Sequence, residues 1–310
     1  GMALYFSTAI TENIPQTTQA TPLRGVSAYP PRRRPGAPFF EHAVIVTGAS
    51  SGVGREISHL LAEQGAWLTL ASRNAQRLEL VADECRRRGA RALVMPTDVA
   101  REYQCQRLIR RTVETHGRID MLINNAGYGM VAPLERLTDF SQVEALMQVN
   151  FMGALYCTAY ALPHLRRSAG RIVAVSSLAG RIGLPWNSAY SASKHALAGF
   201  FDSLRSELAD SGVTVTVIYP SFLASNFHNR MVGPDGEPLD VDISTRLNGR
   251  VMSAQECARH VIRAAARRRR ELVLTFGGKL GVWLRLLWPA FLDHSVRRIL
   301  TRANSKGEPV

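Results

Sequence analysis

Cysteine is scarce in this 310-residue chain, and its four copies, Cys85, Cys105, Cys157 and Cys257, stand far apart with no CxxC pair. With no histidine at metal-ligand spacing either, the pattern excludes a zinc site and a disulfide framework, assigns no residue to a metal, and fits a reduced, cytoplasmic setting. Long apolar runs are lacking too. The first 40 residues hold six prolines and no apolar core of the kind a secretory signal needs, and Gly1 ahead of Met2 reads as a cloning remnant. Residues 1–40 are therefore expected to form a flexible, partly polyproline-like tail. At the other end, the apolar stretch within "KLGVWLRLLWPAFLDHSVRRIL" (279–300) is broken by Arg285 and Pro289 and is too short to span a bilayer.

Lysine is scarcer still, with three copies, Lys194, Lys279 and Lys306, against 35 arginines. A position that stays lysine in such a chain is either an accident or a site that needs a compact ammonium with three freely rotating donors, which a planar guanidinium cannot imitate. The formal charge of +13 at first suggests nucleic acid. Its distribution argues otherwise: residues 41–262 hold 23 basic and 21 acidic residues, whereas 263–310 hold eleven basic and three acidic ones. The excess belongs to the ends, no zinc finger or RNP-type aromatic signature accompanies it, and no nucleic-acid partner is expected.

From residue 43 short β-rich apolar runs alternate with longer helical patterns. Seven strands are expected at 43–48, 67–72, 91–98, 119–127, 170–177, 213–220 and 271–276, with helices near 53–64, 74–88, 101–116, 138–168, 188–211 and 253–268. The strands show little polar alternation, as befits a parallel sheet covered on both faces. The reading is a single α/β domain over 41–275, a doubly wound, Rossmann-type sheet with ligands at the carboxyl ends of its strands.

"TGASSGVG" (47–54) falls at the first strand-to-helix turn, where such a sheet binds phosphates. Gly48 permits a tight turn, Gly52 lets the backbone approach a pyrophosphate, and Gly54 allows close helix packing, while Ser50, Ser51 and Val53 belong to the same turn. The second strand ends "LASRN", with Ser72 and Arg73 in place of an acidic residue. A ribose 2′-hydroxyl favours an acid there and a 2′-phosphate favours a cation, so the pair points to NADP(H).

Tyr190 and Lys194, four apart at the start of an apolar-striped helix, share a face. A nearby ammonium favours phenolate and is expected to bring the tyrosine down toward neutral pH, leaving lysine donors for ribose hydroxyls. His195 alternates away from Tyr190 and is assigned to packing.

With "TGASSGVG", "TDV" (97–99), "NNAG" (124–127), Asn150, Ser177 and "YSASK" (190–194) in this order, the chain resembles the short-chain dehydrogenase/reductase family over about 43–262. The resemblance implies that Tyr190 is the general acid/base, Lys194 binds ribose and tunes it, Ser177 bonds the substrate oxygen, and Asn150 helps hold a proton-relay water. It implies adenine contacts from Asp98 and Val99, and places Asn125, with Ala126 and Gly127 of the same motif, beside the cofactor. Two departures stand in "YPSFLAS": Ser221 follows Pro220 where the family has glycine, and Ser225 replaces the threonine that meets the nicotinamide amide.

Residues 222–252 are expected to form an apolar lid that includes Phe222, with Leu184, Pro185 and Trp186 as the opposite wall. The extension 276–310 reads either as a peripheral membrane contact or as a helix pair packed on its own domain or on a neighbouring subunit. The whole is expected to be an NADP(H)-dependent oxidoreductase, homodimeric or homotetrameric, acting on a carbonyl or secondary alcohol of a lipophilic substrate. The alternative is a non-catalytic nucleotide-binding scaffold or a redox-sensing, membrane-peripheral protein.

Overall fold

The structure, a computed structural model, describes residues 36–221, 223–224, 231–239 and 251–304. Apolar runs 43–47, 67–72, 91–96, 121–124, 171–175, 214–219 and 271–273 form strands β1, β2, β3, β4, β6, β7 and β11 of one sheet, all parallel, in the order β11-β7-β6-β4-β1-β2-β3. All seven strands lie inside the expected ranges. Helices α1 (Gly52–Ala62), α2 (Ala75–Arg87), α3 (Glu102–His116), α5 (Gly153–Arg167), α6 (Ser188–Glu207) and α7 (Ala254–Ala266) make the crossovers.

Strand periodicity sorts the side chains to two faces. Val44 and Val46 pack with Ile57, Leu78 and Val261 from α1, α2 and α7, while Ile45 between them packs with Leu108, Leu165 and Phe201 from α3, α5 and α6. Strand order reverses between β1 and β4, so the first turn and the NNAG segment flank the switch point where ligands bind in such sheets.

The expected helix over 138–168 is not one regular helix. It begins as α4 (Ser141–Met147), widens to a π-turn over Gln148–Met152, and resumes as α5. Four short strands complete the rim: β5 (Gly129–Met130) pairs with β9 (Met231–Val232), and β8 (Leu223–Ala224) with β10 (Met252–Ser253). After β11 the chain forms α8 (Phe276–Leu287) and α9 (Pro289–Asn304). Phe39 is fully buried in the core on the α1 side, so it belongs to the folded domain rather than to the tail assigned to 1–40. The four cysteines are buried and free, and among the described residues no group of three or more His, Cys, Asp or Glu could hold a metal ion.

Asp120 ties the amino-terminal edge of the sheet together. Its buried carboxylate accepts from Ala43 N at 2.9 Å and from Arg118 Nε at 2.9 Å, and its carbonyl accepts from Arg171 N at 2.9 Å. Removing the carboxylate leaves the Ala43 N–H unpaired at the start of the central strand. We expect Asp120→Ala to lower unfolding stability by roughly 2–4 kcal/mol in urea titration, with the cofactor site at the far end of the strands unchanged.

Candidate active site

The phosphate turn is built by close backbone approach. Gly48 and Gly52 adopt φ of +67° and +56°, a region that disfavours side chains. A Cβ on Gly54 would lie 2.3 Å from the Gly48 carbonyl oxygen and 2.5 Å from Asn125 Nδ2. Thr47, which sequence reasoning passed over, holds the turn to the NNAG segment. Its Oγ1 accepts from the N–H groups of Asn125 and Ala126 at 3.0 and 3.1 Å and donates to the Ile123 carbonyl at 3.2 Å. Asn125 spends its side-chain amide here, donating to the Thr47 carbonyl at 2.9 Å. Half-buried Ser50 and buried Val53 complete the turn.

The start of α1 suits an anion. Ser51 makes no side-chain cap bond and the first turn holds no acid, whereas Asn74, Ser253 and Thr275 cap α2, α7 and α8. The first N–H groups of α1 are thus left for a ligand.

At the end of β2, Ser72 Oγ is buried without a hydrogen-bond partner among the described residues. Arg73 beside it is exposed and makes no ion pair among them. Burial raises the Tyr128 hydroxyl, and the Arg73 charge opposes that rise, which brings Arg73 and the segment after NNAG into one neighbourhood. An unpaired hydroxyl and an uncommitted guanidinium side by side fit a 2′-phosphate. The Asp98 backbone N–H donates to Gln104 Oε1 at 2.8 Å. Val99 is buried against α5, where a Cβ on Gly153 would sit 2.7 Å from Val99 Cβ.

Ser177, Tyr190 and Lys194 come together as the motif order required. Ser177 lies just past β6, accepts from Ala179 N at 3.2 Å and hydrogen-bonds Tyr190. Both Tyr190 and Lys194 are buried on α6, the lysine with 4% of its surface exposed. Burial pushes the Tyr190 hydroxyl up to about 12, opposed by the Ser177 hydrogen bond. Burial also pushes the Lys194 ammonium down to about 8. Its Nζ donates to the Val175 carbonyl at 3.3 Å and stands 5.8 Å from the Tyr190 ring centroid. Where a lowering of Tyr190 was expected, loss of water at the phenol raises it, and the influence opposing that rise is the Ser177 hydrogen bond.

Asn150 sits in the π-turn, 1% exposed. Its Oδ1 accepts from Tyr128 N at 3.0 Å, and its Nδ2 donates to the Tyr128 carbonyl at 2.9 Å and to Ser193 Oγ at 3.1 Å. Ser193 in turn donates to the Tyr190 carbonyl at 2.7 Å. Asn150 thus links the NNAG segment to the helix of Tyr190, and Ser193 is the linking residue that the sequence reading lacked. Gly127 makes this approach possible, since its Cβ would lie 2.9 Å from Asn150 Oδ1 and 3.4 Å from Lys194 Nζ.

Around Tyr190 the wall is apolar, with Met130, Ala132, Leu137, Leu146 and Ala179 in one cluster. Trp186 is half-buried at φ +61°, a costly conformation for a bulky residue, and its carbonyl accepts from Ala132 N at 2.7 Å. Pro220 is buried and accepts from Leu178 N at 2.8 Å. Phe222 and Ser225 lie outside the described residues, as does most of the expected lid.

Residues 42–233 match the family described as short chain dehydrogenase. The chain is 35% identical over 256 residues to an Arabidopsis thaliana protein named 11-beta-hydroxysteroid dehydrogenase-like 4A, a match that covers 82% of this chain and 83% of the relative. Among solved structures it resembles a dehydrogenase/reductase from Sinorhizobium meliloti 1021, with 30% identity, a TM-score of 0.69 and coverage of 78% and 97% of the two chains. It also resembles a short chain dehydrogenase/reductase from Burkholderia phymatum in complex with NAD, with 25% identity, a TM-score of 0.70 and coverage of 80% and 93%.

A buried lysine with a lowered pKa costs stability at neutral pH. Between about 8 and the ordinary 10.5, the unfolded chain binds a proton at Lys194 that the folded chain has released, so folding stability rises with pH through that window. Lys194→Met removes both the cost and the slope. We expect this variant to be more stable than the parent at pH 7 by on the order of 1–3 kcal/mol, with the gain shrinking as pH rises from 8 to 10, measured by chemical denaturation.

Proposed function

This chain belongs to the short-chain dehydrogenase/reductase family and is an oxidoreductase for CH–OH and C=O groups with a nicotinamide cofactor, and on that premise we propose that it uses NADP(H) on a lipophilic carbonyl or secondary alcohol. The observation that carries the cofactor choice is the pair at the end of β2, the buried hydroxyl of Ser72 and the guanidinium of Arg73, neither of which has a partner among the described residues. In this reading the glycine turn with Ser50, Ser51 and Val53 holds the pyrophosphate, and Asp98, Val99 and the 125–127 segment border the adenosine. Pro220 and Ser225 border the nicotinamide. When bound, the nicotinamide supplies or accepts the hydride.

Tyr190 moves the proton. In the reducing direction its hydroxyl donates to the substrate oxygen and is left as phenolate, which a later proton restores. Burial alone makes that phenol a poor acid, so the groups that favour phenolate matter: the Ser177 hydroxyl, which also orients the substrate oxygen, and the Lys194 ammonium one helical turn away. Asn150 positions these groups by clamping Tyr128 to Ser193 and, through it, α6. The apolar cluster around Tyr190 supports a lipophilic substrate, in keeping with a relative named for hydroxysteroids, and Trp186 and Phe222 belong to the same proposal as substrate contacts.

The domain plan belongs to the same proposal: a catalytic domain ending near 275 with a substrate lid over 222–252, and a C-terminal extension. So does assembly into a homodimer or homotetramer, supported by the outer face of α6, where Ala192 and Gly199 are exposed and Phe200 is half-buried.

Cofactor titration tests the first part. The parent should bind NADPH well ahead of NADH, and Arg73→Ala should lose roughly one to two decades of NADPH affinity with little change for NADH; equal binding of both cofactors by the parent rejects the NADP(H) reading. For the chemistry, Tyr190→Phe should bind NADPH normally but lose turnover in an NADPH-oxidation screen of graded ketones. Lys194→Arg should also lose activity despite keeping the charge, because a guanidinium does not fit the buried ammonium site.

A further inference from the structure

Helix α8 is packed inside out. Its small residues face the protein: a Cβ on Gly278 would come within 3.1 Å of Val273 Cγ1, and one on Gly281 within 2.9 Å of Ile182 Cδ1. Its large apolar residues face outward. Phe276, Leu280, Trp283 and Leu287, at helical spacing i, i+4, i+7 and i+11, are 83%, 50%, 64% and 61% exposed, and Trp288 and Phe291 carry the surface onto α9. A helix stabilised by its own domain shows the reverse arrangement, and a continuous apolar face of this kind marks an interaction site.

Charge identifies the occupant. Lys279, Arg297 and Arg298 are exposed on the same two helices, with Asp293 as the only acid among the described side chains of the pair. Over 276–310 six Lys or Arg stand against two acids. A second copy applied face to face would bring these cations against their counterparts, whereas an anionic surface neutralises them. Outward tryptophans next to cations are the composition of a helix lying in a bilayer interface. Among the described residues no helix is long and apolar enough to cross a membrane, so the pair lies on it.

We propose that α8 and α9 dock the protein on an anionic lipid bilayer through this face. The docked edge is the edge of the active site. Arg285 turns back from α8 to donate to the Arg181 carbonyl and stands 3.2 Å from His195 Nε2, next to Lys194 in sequence. Docking therefore holds the loop between Ser177 and Tyr190 beside the lipid, where a lipophilic substrate concentrates. His195, assigned from sequence to packing, meets Arg285 of this helix from α6.

The full chain, mixed with phosphatidylcholine vesicles with or without phosphatidylserine, gives the test by sedimentation, a readout independent of turnover. Binding should require phosphatidylserine, weaken with salt, and disappear in the chain carrying Trp283→Glu and Leu287→Glu. Lys279→Gln, Arg297→Gln and Arg298→Gln should each weaken it roughly fivefold. All five substitutions are at exposed positions, and circular dichroism confirms folding of each variant. Absence of binding to anionic vesicles overturns the proposal, as does binding that ignores both phosphatidylserine and the glutamine variants. A chain that is dimeric in solution and becomes monomeric with Trp283→Glu, with no lipid binding in either form, assigns the face to a second copy instead.

Discussion

The ammonium of Lys194 is held almost wholly out of water, and the Val175 carbonyl is its hydrogen-bond acceptor among the described residues. Much of the surrounding backbone is arranged to let α6 come close enough to bury it. Gly180 meets the helix where a Cβ would lie 2.7 Å from the Lys194 carbonyl oxygen, and Gly127 meets it from the other side, close to Nζ. Ser176 donates to the Lys194 carbonyl at 3.2 Å, and Ser193 and Asn150 tie the same helical turn to the segment after β4. A larger residue at either glycine would push the helix away, and the lysine, the tyrosine and Ser177 would no longer share one small volume.

Burying a charge with so little compensation is unfavourable for folding, and the scaffold carries that cost by being apolar elsewhere. The parallel sheet is covered on both faces, with three helices packed on each, so the strand ends are fixed where the unfavourable groups sit. At the opposite edge a single buried carboxylate, Asp120, collects the backbone groups of β1 and β6. Special backbone geometry also shapes the functional side. The positive φ of Gly48, Gly52 and Trp186 and the π-turn at Asn150 lie at the carboxyl ends of the strands or beside them, while Glu41, Ala169 and Arg268 take positive φ just before β1, β6 and β11.

The sheet was legible because a parallel strand buried on both faces is written as an unbroken apolar run, and each of the seven runs ends near a glycine, proline or polar turn. The first glycine turn and the Tyr190–Lys194 pair were legible because their spacing is local. The connections between distant segments were not. Nothing in the order of residues shows that Thr47 would bridge to Asn125 and Ala126, or that Asn150 would spend its amide on the backbone of Tyr128. The π-turn was hidden because one added residue in a helix leaves the apolar pattern nearly intact. The rise at Tyr190 was not legible because charge proximity can be read from i, i+4 spacing, whereas desolvation depends on everything that packs around the phenol.

The scarcity of lysine makes the central claim directly measurable. A chain labelled with ¹⁵N-lysine has three ammonium nitrogens, those of Lys194, Lys279 and Lys306, and their chemical shifts can be followed by NMR as pH is raised. One resonance, missing from Lys194→Met, should titrate near 8. If the resonance that Lys194→Met removes titrates instead at the ordinary lysine value of about 10.4, the Lys194 ammonium is solvated, and the account of a site organised around its burial is wrong.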